Sequence, residues 1–455
     1  MARAREMDLT SGSTFKKLII YAIPFILSNI LQILFSATDI AVVGIMVNDD
    51  AVAAVGANTS LSQLLVGFFI GVSTGASVVL SRYVGARDLE NSRRTVGVSI
   101  MLAICAGLIL LVIGVPMSET FLIWMGCDAE ILPQATTYLR IYFLGMPIMM
   151  VYNFGASILR AVGDTRRPLI YLVIGGIANV ILNVLFILMG MTVEGVAIGT
   201  IVSQLICVIL ILIALFKSSG YGALRKKYLR IYKRQLLEII QIGLPSGIQS
   251  IAFNISNVLI QSKINSFGKV AMSGNTTSQQ FDGIIYQVGN AISLSVMAFV
   301  GQNVGAKRMD RVKTTIKDGI IIVTLFQLGI GAFFALLAKP FCSIIASSEE
   351  VLAYATTRLK ILGFTYFFCG IMECLANAMR AMGKSVTSMI VSILGACVIR
   401  ILFVQISFNF YPYFSILFIA YLVSWLFTIF MYLFLVPKTY KKLKARMNLD
   451  KESII

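Results

Sequence analysis

Acidic side chains are expensive inside long apolar runs, and this chain keeps a few there. Of its 21 Asp and Glu residues, only Asp39, Asp282 and Glu373 lie well inside such runs. Asp39, in LFSATDIAVVG, is the sole charged residue between Leu18 and Val47. A carboxylate at the centre of a membrane helix costs about 3 kcal/mol on insertion scales, so one that stays there has a partner or a use. Two kinds of chemistry suit it. It can take up and release a proton against hydrogen-bonding neighbours, or it can hold a small hard cation together with neutral oxygens.

Neutral oxygens are available in two other runs. Asn179 and Asn183, in IANVILNVLFI, are one turn apart and share a helix face. Thr200 lies in the run after that. At ~1.5 Å per residue, Asp39 sits ~12 Å, Asn183 ~10 Å and Thr200 ~9 Å from the outer ends of their runs. The matched depth predicts one cluster of Asp39, Asn179, Asn183 and Thr200, able to serve as a proton or cation coupling site. A plainer reading makes them separate polar residues that knit helices together, at ~0.6 kcal/mol each. That reading suits the asparagines better than it suits Asp39.

Glu373, in GIMECLANAMR, is a second candidate acid, or a buried acid bonded to a neighbouring helix. Asp282 is a further secondary acid, near enough to an outer end to face water. Arg400 stands alone in the middle of its run. It lies ~22 Å, and Asp282 ~28 Å, from the cytoplasmic ends of their runs. A long Arg side chain covers the remainder by snorkelling, so Arg400 and Asp282 are expected to form a structural ion pair.

The elements that position these residues must be membrane helices. The 455 residues are 58% hydrophobic and only 13% charged, with a mean hydropathy of +0.87; soluble domains carry about 25% charge. Lipid admits only helices and closed barrels, and barrel strands read as alternating segments of about ten residues. The runs here are longer and unbroken, which predicts an all-α polytopic membrane protein. Twelve spans are expected, at roughly 17–46, 52–80, 95–115, 134–158, 168–190, 194–216, 236–264, 273–300, 318–338, 355–378, 385–408 and 412–436. The first run is too long for a signal peptide and follows a polar, basic start.

Of the 38 Lys and Arg residues, 31 fall in the two tails and in alternate loops, all on one side of such a topology. The positive-inside rule places that side, and both termini, in the cytoplasm. The net charge of +17 is thus an orientation signal and an attraction to lipid headgroups, not a nucleic-acid footprint. The seven cysteines mostly lie in apolar runs and show no disulfide frame or metal spacing. There is no histidine, hence no histidine relay. No Ser/Lys or metal constellation suggests an enzyme, and no cofactor is expected. Those of the 20 Met and 29 Phe that face a central cleft would make an adaptable apolar wall.

The chain also repeats itself. SRYVGARD (81–88) is echoed by GQNVGAKR (301–308), LRAVGDT (159–165) by MRAMGKS (379–385), and AIPFIL (22–27) by GLPSGI (243–248). The first two pairs are 220 positions apart and the third 221. Two parallel six-helix units follow, because six is even. Their expected bounds are 1–216 and 236–437, with a basic cytoplasmic linker at 217–235 and a basic tail at 438–455. Transporter sites tend to lie at such repeat interfaces. The Val-Gly-Ala-Arg/Lys and Arg-Ala-X-Gly motifs read as turns, with Gly permitting the tight backbone and the cation anchoring the loop.

Across nearly its whole length the chain resembles the multidrug and toxic compound extrusion (MATE) family. The resemblance rests on Pro24, TDIAVVG around Asp39, VGAR at 84–87, LRAVGDTRRP at 159–168, IANVILNVLFI at 177–187, GQNVGA at 301–306 and MRAMGKS at 379–385. It implies a V-shaped pair of bundles opening alternately to either side, and export of amphipathic, often cationic compounds driven by inward flow of H⁺ or Na⁺. It also implies coupling roles for Asp39, Asn179, Asn183 and Thr200. Asn183 stands where many DinF-like relatives have Asp. NorM-like relatives with Asn there commonly carry an acid in the seventh span, which here reads SIAFNISNVLIQ, with Asn254, Ser256 and Asn257 and no acid. The chain is read as closer to the DinF-like branch, with mixed features. The expectation is a monomeric antiporter in the inner membrane of a bacterium, with small organic substrates, H⁺ or Na⁺ as coupling ion, and no metal beyond Na⁺. The rivals are a lipid-linked oligosaccharide flippase, which needs a large cavity lined with Arg or Lys, and a passive channel, which does not need Asp39 to titrate.

Overall fold

The computed structural model describes residues 6–452; the side chains at 49, 59–64 and 450–452, and the outermost ends of both basic tails, lie outside the described part. The apolar runs are helical throughout, and no strand occurs among the described residues. In the first half the helices are α1 (Thr14–Met46), α2 (Asp49–Gly85), α3 (Leu89–Trp124), α4 (Leu132–Leu144), α5 (Met146–Ala161), α6 (Arg166–Leu188) and α7 (Val193–Lys217). In the second they are α8 (Lys233–Asn265), α9 (Lys269–Gly305), α10 (Met309–Leu336), the short α11 (Ala338–Cys342), α12 (Glu349–Ala381), α13 (Ser385–Ser392), α14 (Arg400–Phe410) and α15 (Phe414–Glu452). A π-helical turn, Ile393–Ile399, joins α13 to α14 into one continuous span.

Among the described residues, eleven helices are long and apolar enough to cross a membrane, and twelve if α4 and α5 make one span bent by 50°. That matches the twelve runs read from the sequence. The bend has a local cause. Pro147 lacks an N–H and its ring crowds the carbonyl four residues earlier, so the helix breaks beside Gly145.

The repeat is visible in the backbone itself. Gly163 and Gly383, 220 positions apart, have φ of +96° and +85°. Arg87 and Lys307 are also left-handed, with φ of +57° and +56°. In Val-Gly-Ala-Arg/Lys the strained residue is therefore the cation and not the glycine. A helix-closing bond sustains it: Asp88 N–H donates to the Tyr83 carbonyl at 3.0 Å, and Arg308 N–H to that of Asn303 at 2.9 Å.

The chain forms two compact units. Unit 1 is Met1–Met7 with Leu27–Gly247, and unit 2 is Asp8–Ile26 with Ile248–Ile455. Both crossings fall two residues after a proline inside a helix, Pro24 in α1 and Pro245 in α8. This differs from bounds at 216 and 236, because packing does not follow chain order at the start of each repeat. In unit 2, Tyr21 stacks edge-on against Phe299 at 5.5 Å, and Asn303 donates to the Leu9 carbonyl at 3.1 Å. In unit 1, Tyr83 donates to Glu238 at 2.7 Å and Gln235 to Asn91 at 2.9 Å. Inside unit 1, α6 packs on α7 and α3 on α5. Inside unit 2, α12 is the hub, packed on α9, α10 and α15.

Candidate functional site

Asp39 stands on α1, one turn after Phe35. Gly176 on α6 has no side chain, and a Cβ there would collide with the Phe35 ring. The missing atom lets α6 bring Asn179 and Asn183, three and seven residues on, toward the same face of α1. Asn183 Nδ2 donates to Asp39 Oδ1 at 2.6 Å. Asn179 Nδ2 donates to Thr200 Oγ1 at 3.3 Å. Thr200 Oγ1 in turn lies 3.4 Å from Asp39 Oδ2 and 3.0 Å from the Val196 carbonyl. A hydroxyl has one proton, so it can serve only one of those two acceptors at a time. The predicted cluster of Asp39, Asn179, Asn183 and Thr200 is thus assembled in space by α1, α6 and α7.

Asn179 and Asn183 are buried, and their Oδ1 atoms have no hydrogen-bond partner. Their amide nitrogens point into the cluster, toward Asp39 and Thr200. That orientation suits an ionised carboxylate, whose oxygens only accept hydrogen bonds. Turning the amides over would instead present oxygens. The donor set can therefore serve a bare carboxylate, a protonated one, or a carboxylate sharing a small cation with neutral oxygens.

Beside the cluster lies a cavity of ≈ 400 Å³ within unit 1. Asp39, Asn179 and Thr200 form part of its wall, with carboxamides (Gln32, Asn58, Asn153, Gln204) and aromatic rings (Phe35, Tyr138, Tyr142, Tyr152) around them. Among the described residues Asp39 is its one charged lining residue, and no Lys or Arg faces it. Tyr138 and Tyr142, one turn apart on α4, stack with ring centres 6.3 Å apart. The size falls in the range of small-molecule pockets. Sequence reasoning did not find these rings and amides. Gln32 and Ser36 had a signal: with Asp39 they share one helical face of α1. The tyrosines of α4 had none that singled them out.

The expected Arg400–Asp282 pair does not form. Asp282, on α9, is buried and pairs with Arg358 of α12, its Oδ2 lying 2.7 Å from one guanidinium nitrogen and 2.8 Å from another. Arg358 also donates to Asn275. Matching depths alone misled the pairing, because α9 packs on α12 while Arg400 starts α14, which packs on α15. Arg358 was the missed cation, and Asp282 does not face water. Arg400 instead donates to Ser424 at 3.2 Å and to Asn257 at 3.3 Å, with Tyr421 under its guanidinium at 4.1 Å. Glu373 lies in unit 2, on α12, with Arg380 and Tyr286 as electrostatic neighbours.

Comparison with known proteins agrees with this architecture. A family model described as MatE matches residues 24–185 and again 245–406. "Probable multidrug resistance protein YoeA" of Bacillus subtilis is 26% identical over 390 residues, covering 84% of each chain. "Probable multidrug resistance protein NorM" of Thermotoga maritima is 27% identical over 395 residues, 85% of this chain and 84% of that one. "Multidrug export protein MepA" of Staphylococcus aureus is 24% identical over 397 residues, 86% and 87% of the two chains. In fold, the chain is similar to a crystal structure of MATE in the bent conformation, with a TM-score of 0.90 at 20% identity over 98% of this chain and 99% of the other. It is equally similar to an outward-facing multidrug resistance MATE family transporter of the MOP superfamily, with a TM-score of 0.89 at 21% identity over 98% and 100%. The same model matches both halves of a twelve-run, two-unit helical chain: the protein belongs to the MatE family.

Proposed function

We propose that this protein is a secondary transporter of the bacterial inner membrane that exports amphipathic, often cationic organic compounds in exchange for H⁺ or Na⁺, with Asp39 as the coupling carboxylate. The observation that carries the reading is the placing of Asp39. Among the described residues it is the one charged group on the wall of a ≈ 400 Å³ cavity, and neutral groups of two other helices reach it.

The mechanism follows from that charge. Empty, Asp39 is an anion steadied by the Asn183 amide and the Thr200 hydroxyl, and the cavity attracts a cationic guest. A proton or Na⁺ arriving at Asp39 cancels the charge that held the guest. A protonated Asp39 can also donate to Thr200, which then turns its own proton to Val196. The hydrogen-bond direction between α1 and α7 reverses without any group being stranded. Ion and guest compete for one carboxylate, so each favours a different state, which is the differential affinity that alternating access requires. In this reading the protein acts as a monomer, with both termini in the cytoplasm, and does no covalent chemistry.

The oligosaccharide flippase reading fits less well, since among the described residues no Lys or Arg lines this cavity to meet a pyrophosphate. A passive channel would conduct whether or not Asp39 titrates. Proteoliposomes holding the purified chain decide among these. A fluorescent organic cation should move only under an imposed gradient, with H⁺ and Na⁺ gradients applied one at a time. Movement at equal rate with neither gradient would sink the antiport reading.

A further inference from the structure

The internal repeat places a second polar cluster on the helices equivalent to those of Asp39, and its charge is reversed. The two family-model matches, 24–185 and 245–406, are related by a shift of 221 positions. By that shift α1, α6 and α7 correspond to α8, the α13–α14 span and α15. Asn179 then corresponds to Arg400, Thr200 to Tyr421, Ser203 to Ser424 and Ser36 to Asn257. At 379–385 the repeat is still in step at 220. The π-helical turn at 393–399 accommodates the extra residue, because a π-turn is an α-helix with one residue inserted. With that insertion counted, Arg400 aligns with Asn179 in the repeat.

The four residues meet in unit 2. Arg400 is 5% exposed. It donates to Ser424 Oγ and Asn257 Oδ1, and its guanidinium stacks over the Tyr421 ring. The Tyr421 hydroxyl donates to the same Asn257 oxygen at 3.4 Å. Among the described residues Arg400 makes no ion pair. The cluster opens outward, since Asn257 is exposed and Tyr421 half-buried. Asn254, one turn before Asn257 on α8, is half-buried too. Arg400 lies ~15 Å, Asn257 ~12 Å and Tyr421 ~10 Å from the outer ends of their helices. An exposed carboxamide such as Asn257 is costly at that depth against hydrocarbon and cheap against water, which favours a water-facing side for this cluster.

We propose that this cluster is an oxyanion site, in which Arg400, with Tyr421, Asn257 and Ser424, binds the carboxylate of an amphipathic substrate. The Asn257 oxygen now occupies the place a carboxylate oxygen would take, where both Arg400 and Tyr421 can donate to it. A guanidinium prefers planar, paired acceptors, and its stacking on Tyr421 fixes the plane in which they must lie. The depth disfavours a lipid phosphate, which stays at the interface. The proposal rests on the transport reading and extends its substrates from cations to zwitterions and anions.

The test is binding, without any gradient, to the full chain in dodecyl maltoside. Dansylglycine and its uncharged amide serve as matched probes, read by fluorescence anisotropy against empty micelles. Wild type should bind dansylglycine about tenfold more tightly than the amide, the worth of a charge-assisted hydrogen bond. Arg400→Gln should erase that preference and Arg400→Lys keep part of it. Independently of any variant's folding, sodium benzoate should displace dansylglycine from wild type, and sodium chloride at equal ionic strength should not. Equal affinity for the two probes, a preference that survives in Arg400→Gln, or displacement by chloride overturns the site. Displacement by phosphatidylglycerol, in nanodiscs compared with phosphatidylcholine, would assign the cluster to a lipid phosphate and overturn the substrate carboxylate. Because no gradient is used, a chain that binds dansylglycine but does not pump keeps this site and loses only the transport reading.

Discussion

Asp39 in unit 1 and Asp282 in unit 2 are both carboxylates inside membrane helices, and their surroundings differ in kind. Asp282 is 3% exposed and closed off by a full opposite charge, Arg358, which also bonds Asn275. Asp39 is half-buried on a cavity wall and is met by neutral groups, the amides of Asn183 and Asn179 and the Thr200 hydroxyl. An acid paired with a cation has its charge cancelled within the protein and is committed to structure. One held by neutral dipoles keeps its charge available to whatever enters the cavity. Arg400 is the cationic counterpart of Asp39 in this respect, with an amide, a hydroxyl and a ring for company.

The largest effect expected from breaking this contrast is at Asp39. Asp39→Asn keeps the shape and removes the titratable charge, so gradient-driven export in proteoliposomes should fall to the level of protein-free vesicles while size-exclusion behaviour stays normal. Pumping at the wild-type rate would make Asp39 a structural residue like Asp282. The converse test is on stability. Asp282→Leu or Arg358→Leu alone strands a buried charge and should cost about 3–5 kcal/mol in detergent unfolding, whereas the double variant should lose less than either. Arg400→Leu strands no partner, so its loss should be about 1–2 kcal/mol, the worth of the ring contact and its hydrogen bonds. Additive losses at Asp282 and Arg358 would remove the distinction between a sealed and an available charge.

Two smaller changes sharpen the picture of unit 1. A Cβ at Gly199 would collide with Asn183 Oδ1, the oxygen of the amide whose nitrogen bonds Asp39. Gly199→Ala should therefore lower coupled export several-fold with the chain still folded; an unchanged rate would mean that Asn183 moves freely. Thr200→Val removes a hydroxyl and no charge, and should weaken coupling by about 1 kcal/mol, or roughly fivefold. A Thr200→Val protein as inactive as Asp39→Asn would shift the weight of the site from the carboxylate to the hydroxyl.

Sequence alone was sufficient for the elements and for one cluster. Long apolar runs dictate helices in lipid, whatever their neighbours, because the backbone has no other way to satisfy its polar groups there. Twelve runs and two copies of the repeat could therefore be read directly. The Asp39 cluster was also legible, since depth along a helix follows from counting residues and few polar groups compete at that depth. Counting failed for Arg400 and Asp282. Depth fixes one coordinate, and partners are chosen by which helices pack face to face, which is why α9 gave Asp282 to Arg358 on α12. Packing also assigned Asp8–Ile26 to unit 2 and the start of α8 to unit 1, a division that no repeat boundary contains. The rings and amides around the cavity come from helices far apart in the chain. Their convergence depends on small residues such as Gly176 that let particular helices approach.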